Sequence, residues 1–341
     1  MTASLDEVAY KMCAGGKGIL AADESSSTIK KRFDDIGVES TFDNRRDYRE
    51  MLFRSEEAMT KYISGVILFD ETIRQKAKDG TPLVELIQKA GSIPGIKVDA
   101  GAKPQPGAPG ETITEGLDGL GGRLKEYYDL GARFSKWRAV IDIGNGIPSY
   151  TSLIANAQAL ARYAALCQEA NIVPIVEPEV LMDGDHDIDR CYHVTEWVLK
   201  ETFQQLYYAR IRLEGMVLKP NMVVSGKKCP KQASVAEVAE KTVRLLKNCV
   251  PSAVPGIAFL SGGQSDEDAT AHLDAMIKIG GLPWNLTFSY GRALQAAPQK
   301  AWSGKDENWA AGQAAFTHRA KMNYLAALGQ WNAEVESKKA A

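Results

Sequence analysis

Gly215-Met216-Val217-Leu218-Lys219-Pro220-Asn221-Met222-Val223 is an apolar, strand-like run that contains a single lysine. A short apolar run between turn residues is typical of a strand that is buried on both faces of a parallel sheet. Similar runs recur along the whole chain. Together they predict eight strands, at residues 18–23, 63–70, 95–99, 134–143, 172–180, 216–223, 256–261 and 285–290.

Longer amphipathic stretches separate these runs, and the spacing of their apolar residues predicts helices. The clearest of them are residues 45–62, 151–170, 189–212, 235–248 and 266–279. Eight strands that alternate with helices predict an α/β protein whose sheet closes into a (β/α)8 TIM barrel. The 341 residues exceed the ~250 that are usual for this fold, so residues 1–13 and 310–341 are predicted to form additional N- and C-terminal helices.

The chain contains no low-complexity tract or flexible linker, and we therefore predict a single catalytic domain over residues 1–341. The alternative is an open, doubly wound sheet, but the glycine fingerprint that binds phosphate in that fold is missing. Residues 116–122 are rich in glycine without joining a strand to a helix, and we interpret them as a loop.

Composition excludes several classes of partner. A net charge of −2 leaves no basic surplus for a phosphate backbone, which argues against nucleic acid. Five scattered cysteines without a Cys-x-x-Cys pair indicate neither a disulfide framework nor a thiolate zinc site, and they fit a reducing cytoplasm. No apolar run approaches the length of a membrane span, and the first residues lack the pattern of a signal peptide, so no membrane partner is expected.

Charged residues interrupt several of the predicted strands near their carboxyl ends. In a TIM barrel these ends carry the active site. The sequence therefore predicts that one site collects Asp23, Lys97, Lys136, Arg138, Glu177, Glu179 and Lys219.

The loops after the last two strands have the composition of a phosphate site, which this fold often places there. Strand seven runs into Ser261, Gly262 and Gly263, whose backbone N–H groups can close around an anion. Strand eight runs into Ser289, Gly291 and Arg292, which adds a guanidinium suited to phosphate oxygens. Taken singly, a Ser-Gly-Gly turn is an ordinary loop as often as an anion site, and residues 23–28 are also a plausible helix cap.

Lysine chemistry gives the buried amine a function. An ordinary lysine, with a pKa of about 10.4, is almost entirely ammonium at neutral pH and does not attack a carbonyl. Apolar surroundings or a second cation such as Lys136 favour the free amine, which forms a Schiff base with a ketone. The alternative for Lys219 is a strand-end lysine that extends its ammonium group to solvent.

Several long segments resemble the class I fructose-1,6-bisphosphate aldolase family, and the resemblance extends over essentially the whole chain. The matching segments are residues 18–25, 65–69, 95–99, 136–138, 176–179, 218–222, 259–265 and 287–294. The resemblance implies reversible cleavage of fructose 1,6-bisphosphate in glycolysis and gluconeogenesis, without a metal or other cofactor. It also implies sugar phosphates as ligands and a homotetramer.

The resemblance further implies roles for individual residues. Lys219 forms the Schiff base, Glu177 is the general acid and base, Lys136 holds a positive charge beside Lys219, and Asp23 faces the imine. The C1 phosphate is assigned to Ser261, Gly262, Gly291 and Arg292 with Ser289 nearby, and Gly263 belongs to the same substrate site. The C6 phosphate is assigned to Ser25, Thr28, Arg32 and Lys97, with Arg45 and Arg138 as weaker candidates and Glu179 in the same substrate site.

The family pattern is not matched everywhere. Animal members finish in a longer tail with a terminal tyrosine linked to proton exchange on the enamine, and residues 334–341 do not resemble it. Glu177 and a bound phosphate are the two hypotheses for that proton transfer. Residues 98–104 read more like bacterial relatives, and Thr28 stands where a serine is common.

Two further alternatives concern the chemistry. The acidic residues 183–187 superficially suggest a cation site, but they lack the spacing of an EF-hand and are predicted to be a solvated loop. Rival functions are a transaldolase-like transferase, which uses similar lysine chemistry, and a catalytically silent sugar-phosphate-binding protein. Retention of Lys219, Glu177, Lys136 and Asp23 together argues against the silent protein.

Overall fold

Eight parallel strands close into a barrel, which confirms the predicted TIM-barrel fold. The computed structural model describes residues 3–337. The strands are β1 (Gly18–Ala22), β2 (Ile63–Leu68), β3 (Ile93–Lys97), β4 (Ala102–Pro104), β5 (Thr112–Thr114), β6 (Phe134–Ile141), β7 (Val173–Val180), β8 (Val217–Leu218), β9 (Gly256–Phe259) and β10 (Asn285–Tyr290). Around the barrel the strand order is β1-β10-β9-β8-β7-β6-β3-β2, and a separate antiparallel hairpin pairs β4 with β5.

Helices surround the barrel, and short helical turns lie at Ala58–Tyr62, Leu213–Gly215 and Asp306–Asn308. None of the helices within residues 3–337 is long and apolar enough to cross a membrane. The α-helices are α1 (Leu5–Cys13), α2 (Ser26–Asp34), α3 (Phe42–Phe53), α4 (Asp70–Arg74), α5 (Leu83–Lys89), α6 (Leu120–Asp129), α7 (Tyr150–Glu169), α8 (Ile188–Tyr208), α9 (Val235–Cys249), α10 (Asp266–Ile279), α11 (Arg292–Trp302), α12 (Trp309–Ala327) and α13 (Ala333–Ser337).

The N-terminal helix α1 closes the amino end of the barrel. Its buried side chains, among them Met12 and Cys13, join one apolar cluster with inward-facing strand residues such as Phe134 and Val217. Ser4 begins the helix with a capping box, because its hydroxyl accepts from Glu7 N–H and Glu7 accepts from Ser4 N–H. The amino end is therefore filled with apolar side chains, and any cavity must lie toward the carboxyl ends.

Two glycines make room for a phenylalanine inside the barrel. A Cβ at Gly95 would lie 2.3 Å from the ring of Phe134, and one at Gly65 would lie 2.9 Å from the same ring. A larger residue at either position would collide with Phe134, so these glycines are required by close packing.

The outer layer is a second, larger apolar cluster between the strands and the helices. One part of it is aromatic: the rings of Phe33, Tyr48 and Trp302 lie 5.4 to 5.8 Å apart between their centroids. This part joins α2, α3 and α11 beside the carboxyl end of β1. Fully burying such side chains contributes roughly 1.5–3 kcal/mol each.

The sixth strand of the predicted barrel, residues 216–223, is shorter in the structure, because only Val217–Leu218 pair as a strand, β8. The following Pro220 has no N–H to donate to a neighbouring strand. Lys219 N–H still donates to Val176 C=O at 2.8 Å, and Val223 N–H donates to the Thr242 hydroxyl at 2.9 Å. The segment thus stays buried and hydrogen-bonded without being a strand.

Other predicted elements also differ from the structure. The predicted helix 45–62 is divided into α3 and the π-helical turn Ala58–Tyr62. Residues 116–122 are not entirely a loop, because α6 begins at Leu120 after Gly119, whose φ of 67° suits glycine. The predicted C-terminal helix is represented by α12 and α13, and residues 338–341 lie outside the described part of the chain.

Candidate active site

A cavity of about 390 Å³ opens at the carboxyl ends of the barrel strands. Its lining includes every residue that the sequence assigned to the site except Arg45. Those residues are Asp23, Ser25, Thr28, Arg32, Lys97, Lys136, Arg138, Glu177, Glu179, Lys219, Ser261, Gly262, Gly263, Ser289, Gly291 and Arg292.

The alternation of strand residues places the charges in this cavity. Phe134, Ile175 and Val217 belong to the inner apolar cluster, and two positions further along their strands stand Lys136, Glu177 and Lys219. Because successive side chains point to opposite faces of a strand, each charged residue points inward above an apolar one.

Four charged groups form a continuous series across the cavity, of which Lys136, Glu177 and Lys219 are buried and Asp23 is partly buried. Asp23 Oδ2 lies 2.6 Å from Lys136 Nζ, which lies 3.5 Å from Glu177 Oε2. The other oxygen of this carboxylate, Oε1, lies 3.1 Å from Lys219 Nζ. Glu177 therefore bridges two lysines, and the four groups are neutral overall when all of them are ionised.

Burial and charge act in opposite directions on these groups. Burial alone would raise the pKa of Asp23, but the ammonium groups of Lys136 and Lys219 outweigh it and lower that pKa to about 2. For Lys136 burial would lower the pKa, but Asp23, Glu177 and Asp99 raise it above its usual value. Asp23 is consequently an anion and Lys136 a cation over the physiological pH range.

A second cluster of charged side chains lies beside this series, on and next to β3, β6 and β7. Lys97 Nζ lies 2.8 Å from Asp99 Oδ1, and the guanidinium of Arg138 pairs with Glu179. Burial would lower the pKa of Arg138, but the adjoining carboxylate of Glu179 raises it. Lys97 and Arg138 are therefore two cations held side by side at the cavity wall.

The loops after β9 and β10 form the opposite wall. Gly262 and Gly263 have φ values of 58° and 78°, which favour glycine. Their N–H groups donate to no backbone carbonyl among residues 3–337. The Ser289 hydroxyl is buried without a hydrogen-bond partner in the same range, and Arg292 forms no ion pair there. This wall has free donors suited to an oxyanion.

The segment after β1 supplies a third side of the cavity. Ser25 caps α2 by accepting from Thr28 N–H at 3.4 Å, so the predicted helix cap is present beside the cavity. Arg32 pairs with the buried Glu24, and its Nη2 lies 3.6 Å from where a Cβ at Gly291 would be. Arg32 thus borders the loop after β10.

Arg45, which the resemblance gives as a weaker candidate for the C6 phosphate, does not line the cavity. Both of its terminal nitrogens are engaged, with Glu71 Oε2 at 2.6 Å and Ser40 C=O at 2.6 Å. Arg45 stands near the start of α3 and is directed at α4. From sequence alone, an arginine paired with an outer helix is indistinguishable from one directed into the barrel.

Four charged residues that sequence reasoning did not assign to the site also line the cavity: Glu24, Asp99, Asp183 and Lys227. The sequence offered a signal for Asp99, since it is the last residue of the predicted strand 95–99. Lys227 carried no such signal, because it lies several residues beyond Lys219 in a stretch without regular structure.

The acidic residues 183–187 form a loop after β7, as predicted. Asp183, Asp185 and Asp187 are exposed, whereas His186 is buried. Asp187 caps α8 by accepting from Arg190 N–H at 2.8 Å. Within residues 3–337 no group of three or more His, Cys, Asp or Glu side chains is arranged to hold a metal ion.

A buried lysine that shares a carboxylate with a second lysine, at the carboxyl end of a closed barrel, defines an enzyme of the TIM-barrel class. The cationic cavity walls indicate that this enzyme acts on an anionic small molecule. Comparison with known proteins identifies the family.

The family model for fructose-bisphosphate aldolase class I matches residues 4–341. The probable fructose-bisphosphate aldolase class 1 of Xanthomonas campestris is 61% identical over 329 residues, 96% of this chain and 98% of that protein. The fructose-bisphosphate aldolase of Drosophila melanogaster is 53% identical over 328 residues, 96% of this chain and 91% of that one. This chain belongs to the class I fructose-bisphosphate aldolase family, whose members are metal-independent lyases.

A solved structure agrees in fold. Fructose-bisphosphate aldolase from Plasmodium falciparum, crystallised in a ternary complex with TRAP and a small-molecule inhibitor, superimposes with a TM-score of 0.95. The two chains are 49% identical, and the match covers 96% of this chain and 95% of that one.

Proposed function

We propose that this chain, as one catalytic domain, cleaves fructose 1,6-bisphosphate reversibly to dihydroxyacetone phosphate and glyceraldehyde 3-phosphate through a Schiff base on Lys219. Family membership supports the reaction. The observation that carries the assignment of Lys219 is the 3.1 Å separation between its amine and Glu177 Oε1, in a buried site beside two groups of anion-binding side chains.

The first step is to make Lys219 a nucleophile. At 3.1 Å its ammonium passes a proton directly to Glu177 Oε1, leaving a free amine beside a carboxylic acid. The remaining pair, Asp23 and Lys136, stays ionised and neutral overall. The proton transfer therefore creates no uncompensated charge in a site where an isolated charge is costly.

The amine then attacks the keto carbon of the sugar. The C2 oxygen takes up one of the two protons of the attacking amine, and the resulting hydroxyl leaves as water with a second proton supplied by the Glu177 acid. A protonated imine now replaces the ammonium at Lys219. Asp23, held as an anion by its low pKa, faces this new positive charge.

Bond cleavage reverses the role of Glu177. As a carboxylate it removes the proton of the C4 hydroxyl, and the C4 oxygen forms the carbonyl of glyceraldehyde 3-phosphate. The electron pair of the C3–C4 bond moves into the imine and gives an enamine. Protonation at C3 and hydrolysis of the imine release dihydroxyacetone phosphate; Glu177 and a bound phosphate are both proposed donors for C3.

The two phosphates of the substrate are assigned to the two cationic walls. Ser261, Gly262, Gly263, Ser289, Gly291 and Arg292 bind the C1 phosphate, where free donors are available. Lys97, Arg138, Ser25, Thr28 and Arg32 take the C6 phosphate, with Glu179 orienting Arg138. Binding energy from phosphates remote from the reacting carbons positions C2 against Lys219.

Borohydride reduction in the presence of dihydroxyacetone phosphate tests the proposal, because it converts the imine to a stable amine. Intact mass and peptide mapping should find one adduct per chain on Lys219, and none in Lys219→Met. Lys228→Met is the matched control, since Lys228 is exposed and lies outside the cavity lining.

The other outcomes separate the rival functions. Cleavage activity without an adduct would exclude the Schiff base. Neither activity nor adduct would favour a silent binding protein. Transfer of the dihydroxyacetone unit to a second aldose, without release of free dihydroxyacetone phosphate, would indicate a transferase.

A cytoplasmic location and a homotetramer are part of the same proposal. All five cysteines are free thiols, in keeping with a reducing compartment. Exposed aromatic side chains on and near α8, Tyr150 stacked on Trp197 and Tyr207 beside Tyr208, supply apolar surface for a subunit contact. Light scattering after size exclusion tests the assembly.

A further inference from the structure

Lys227 brings a second cation to the loop after β9. A Cβ at Gly263 would lie 2.6 Å from Lys227 Nζ and 3.0 Å from Arg292 Nη2. Two positively charged groups from different loops therefore converge on one glycine of the cavity wall. This convergence is absent from the sequence pattern, in which only Arg292 follows a barrel strand directly.

The backbone that carries Lys227 is tightly fixed. Lys227 N–H donates to Met182 C=O at 2.7 Å, and Gly226 N–H donates to His186 C=O at 2.8 Å. A Cβ at Gly226 would lie 2.3 Å from Gly184 C=O, so only glycine permits the two loops to approach this closely. The Cα of Lys227 is therefore positioned before any ligand arrives.

The ammonium group of Lys227 is held only loosely. Its ion-pair partner is Asp183, with Nζ to Oδ1 at 2.7 Å, and the two side chains are 40% and 60% exposed. An exposed ion pair of this kind stabilises a protein little, since water solvates both charges and salt screens them. The pair is readily exchanged for a more highly charged partner.

Without Lys227, the cavity wall formed by the loops after β9 and β10 has too little positive charge to neutralise a phosphate. A sugar phosphate carries nearly two negative charges at neutral pH. Arg292 supplies one positive charge, whereas the charge of the adjacent Arg32 is balanced by Glu24. The serine hydroxyls and glycine N–H groups supply only dipoles. Lys227 is the additional cation whose Nζ already lies beside the same loop.

We propose that Lys227 is a phosphate-binding residue that leaves Asp183 and pairs with the C1 phosphate when substrate enters. The inference rests on the proposed function for the identity of the phosphate, and the placement of Lys227 beside Gly263 supports it. Asp183 competes with the phosphate for the same ammonium group. The pair thereby adjusts the affinity of the site for phosphorylated substrates.

The test compares phosphorylated with unphosphorylated ligands. In Lys227→Met, the concentration of dihydroxyacetone phosphate that half-saturates borohydride trapping should rise about tenfold, a loss of about 1.4 kcal/mol. Half-saturation by unphosphorylated dihydroxyacetone should not change. Lys228→Met, the neighbouring exposed lysine, should match the unmodified protein with both ligands. Asp183→Asn should lower the half-saturating concentration of dihydroxyacetone phosphate.

Other results would overturn the inference. If Lys227→Met weakened the binding of both ligands equally, Lys227 would have a structural role. The same conclusion would follow if Asp183→Asn lowered the affinity for dihydroxyacetone phosphate as much as Lys227→Met does. Unchanged affinity for dihydroxyacetone phosphate in Lys227→Met would exclude phosphate binding by this lysine.

Inorganic phosphate separates this inference from the proposed function. If the unmodified protein traps no adduct, the Schiff-base proposal fails on its own. Calorimetric titration with inorganic phosphate still tests Lys227, since the affinity should be about tenfold lower in Lys227→Met and unchanged in Lys228→Met. Equal phosphate affinity in all three proteins would contradict the inference.

Discussion

The carboxylate of Glu177 lies 3.1 Å from the amine of Lys219, and both side chains are buried. The other oxygen of the same carboxylate lies 3.5 Å from Lys136. One glutamate thus contacts both lysines of the site, so a change at Glu177 alters the charge balance of the whole group.

Glu177→Gln should lower kcat by about 10²–10⁴-fold, because an amide of nearly the same shape neither takes the proton of Lys219 nor returns one to the substrate. Steady-state cleavage of fructose 1,6-bisphosphate measures the effect. Glu179→Gln is the matched control: its carboxylate pairs with Arg138, so KM should change more than kcat. A kcat for Glu177→Gln within threefold of the unmodified enzyme would exclude Glu177 as acid and base.

Asp23 should make unfolding pH-dependent in acid. Its pKa is lowered to about 2 in the folded protein, against about 3.9 for an unfolded aspartate. A lowered pKa stabilises the fold above the unfolded value, here by about 2 kcal/mol, and this contribution is lost as the pH falls toward 2. The free energy of unfolding of the unmodified protein minus that of Asp23→Asn should therefore shrink between pH 5 and 3 in urea titrations.

The control for this prediction is Asp34→Asn. Asp34 pairs with Lys30 on the surface, and both side chains are more than half exposed. The same difference in unfolding free energy should stay flat for Asp34→Asn. A difference for Asp23→Asn that is independent of pH would show that Lys136 does not depress the carboxyl pKa.

Arg138→Met should distinguish the two phosphate sites. We expect KM for fructose 1,6-bisphosphate to rise about tenfold, since a charged hydrogen-bond donor to the C6 phosphate is removed. Fructose 1-phosphate lacks that phosphate, and its KM should change little. Arg133→Met is the control, because Arg133 lies over the ring of Tyr128 outside the cavity. Equal changes with both sugars would place Arg138 away from the C6 phosphate.

Gly95→Ala should destabilise the barrel by about 1–3 kcal/mol, because the added methyl overpacks the interior against the ring of Phe134, 2.3 Å away. Gly122→Ala is the opposite control. Gly122 lies in α6 with nothing within 4 Å of its Cβ position, so alanine should stabilise by about 0.5–1 kcal/mol through helix propensity. Urea unfolding of both variants measures the difference, and equal stabilities would contradict the packing argument.

The strand pattern predicted the barrel well, because burial on both faces leaves a clear apolar signal. It was less accurate where local chemistry intervenes, as at Pro220, which ends strand pairing early. It also missed the hairpin of β4 and β5, whose strands are only three residues long, with β4 exposed and β5 partly buried. Short elements of this kind carry too few residues for a periodic signal.

The sequence indicated the positions of charged residues that lie on barrel strands. It did not indicate the positions of charged residues that are set by contacts between loops or between helices. Arg45 lies outside the cavity lining because its guanidinium pairs with Glu71 of α4. Lys227 was missed because its position depends on hydrogen bonds between two loops, at Met182 and His186. Neither contact leaves a pattern in the sequence, since the partners are far apart along the chain.

By itself, the sequence determined the apolar strands and at which end of each strand the charged residues stand. A run of apolar residues is a local property of the chain and can be recognised without knowledge of its neighbours in space. Only the tertiary structure decided which charges meet. Asp23 follows β1 and Lys136 lies on β6, strands that are not neighbours in the barrel, yet their charged atoms are 2.6 Å apart. That contact exists because closing the sheet brings side chains from separate strands into one narrow interior.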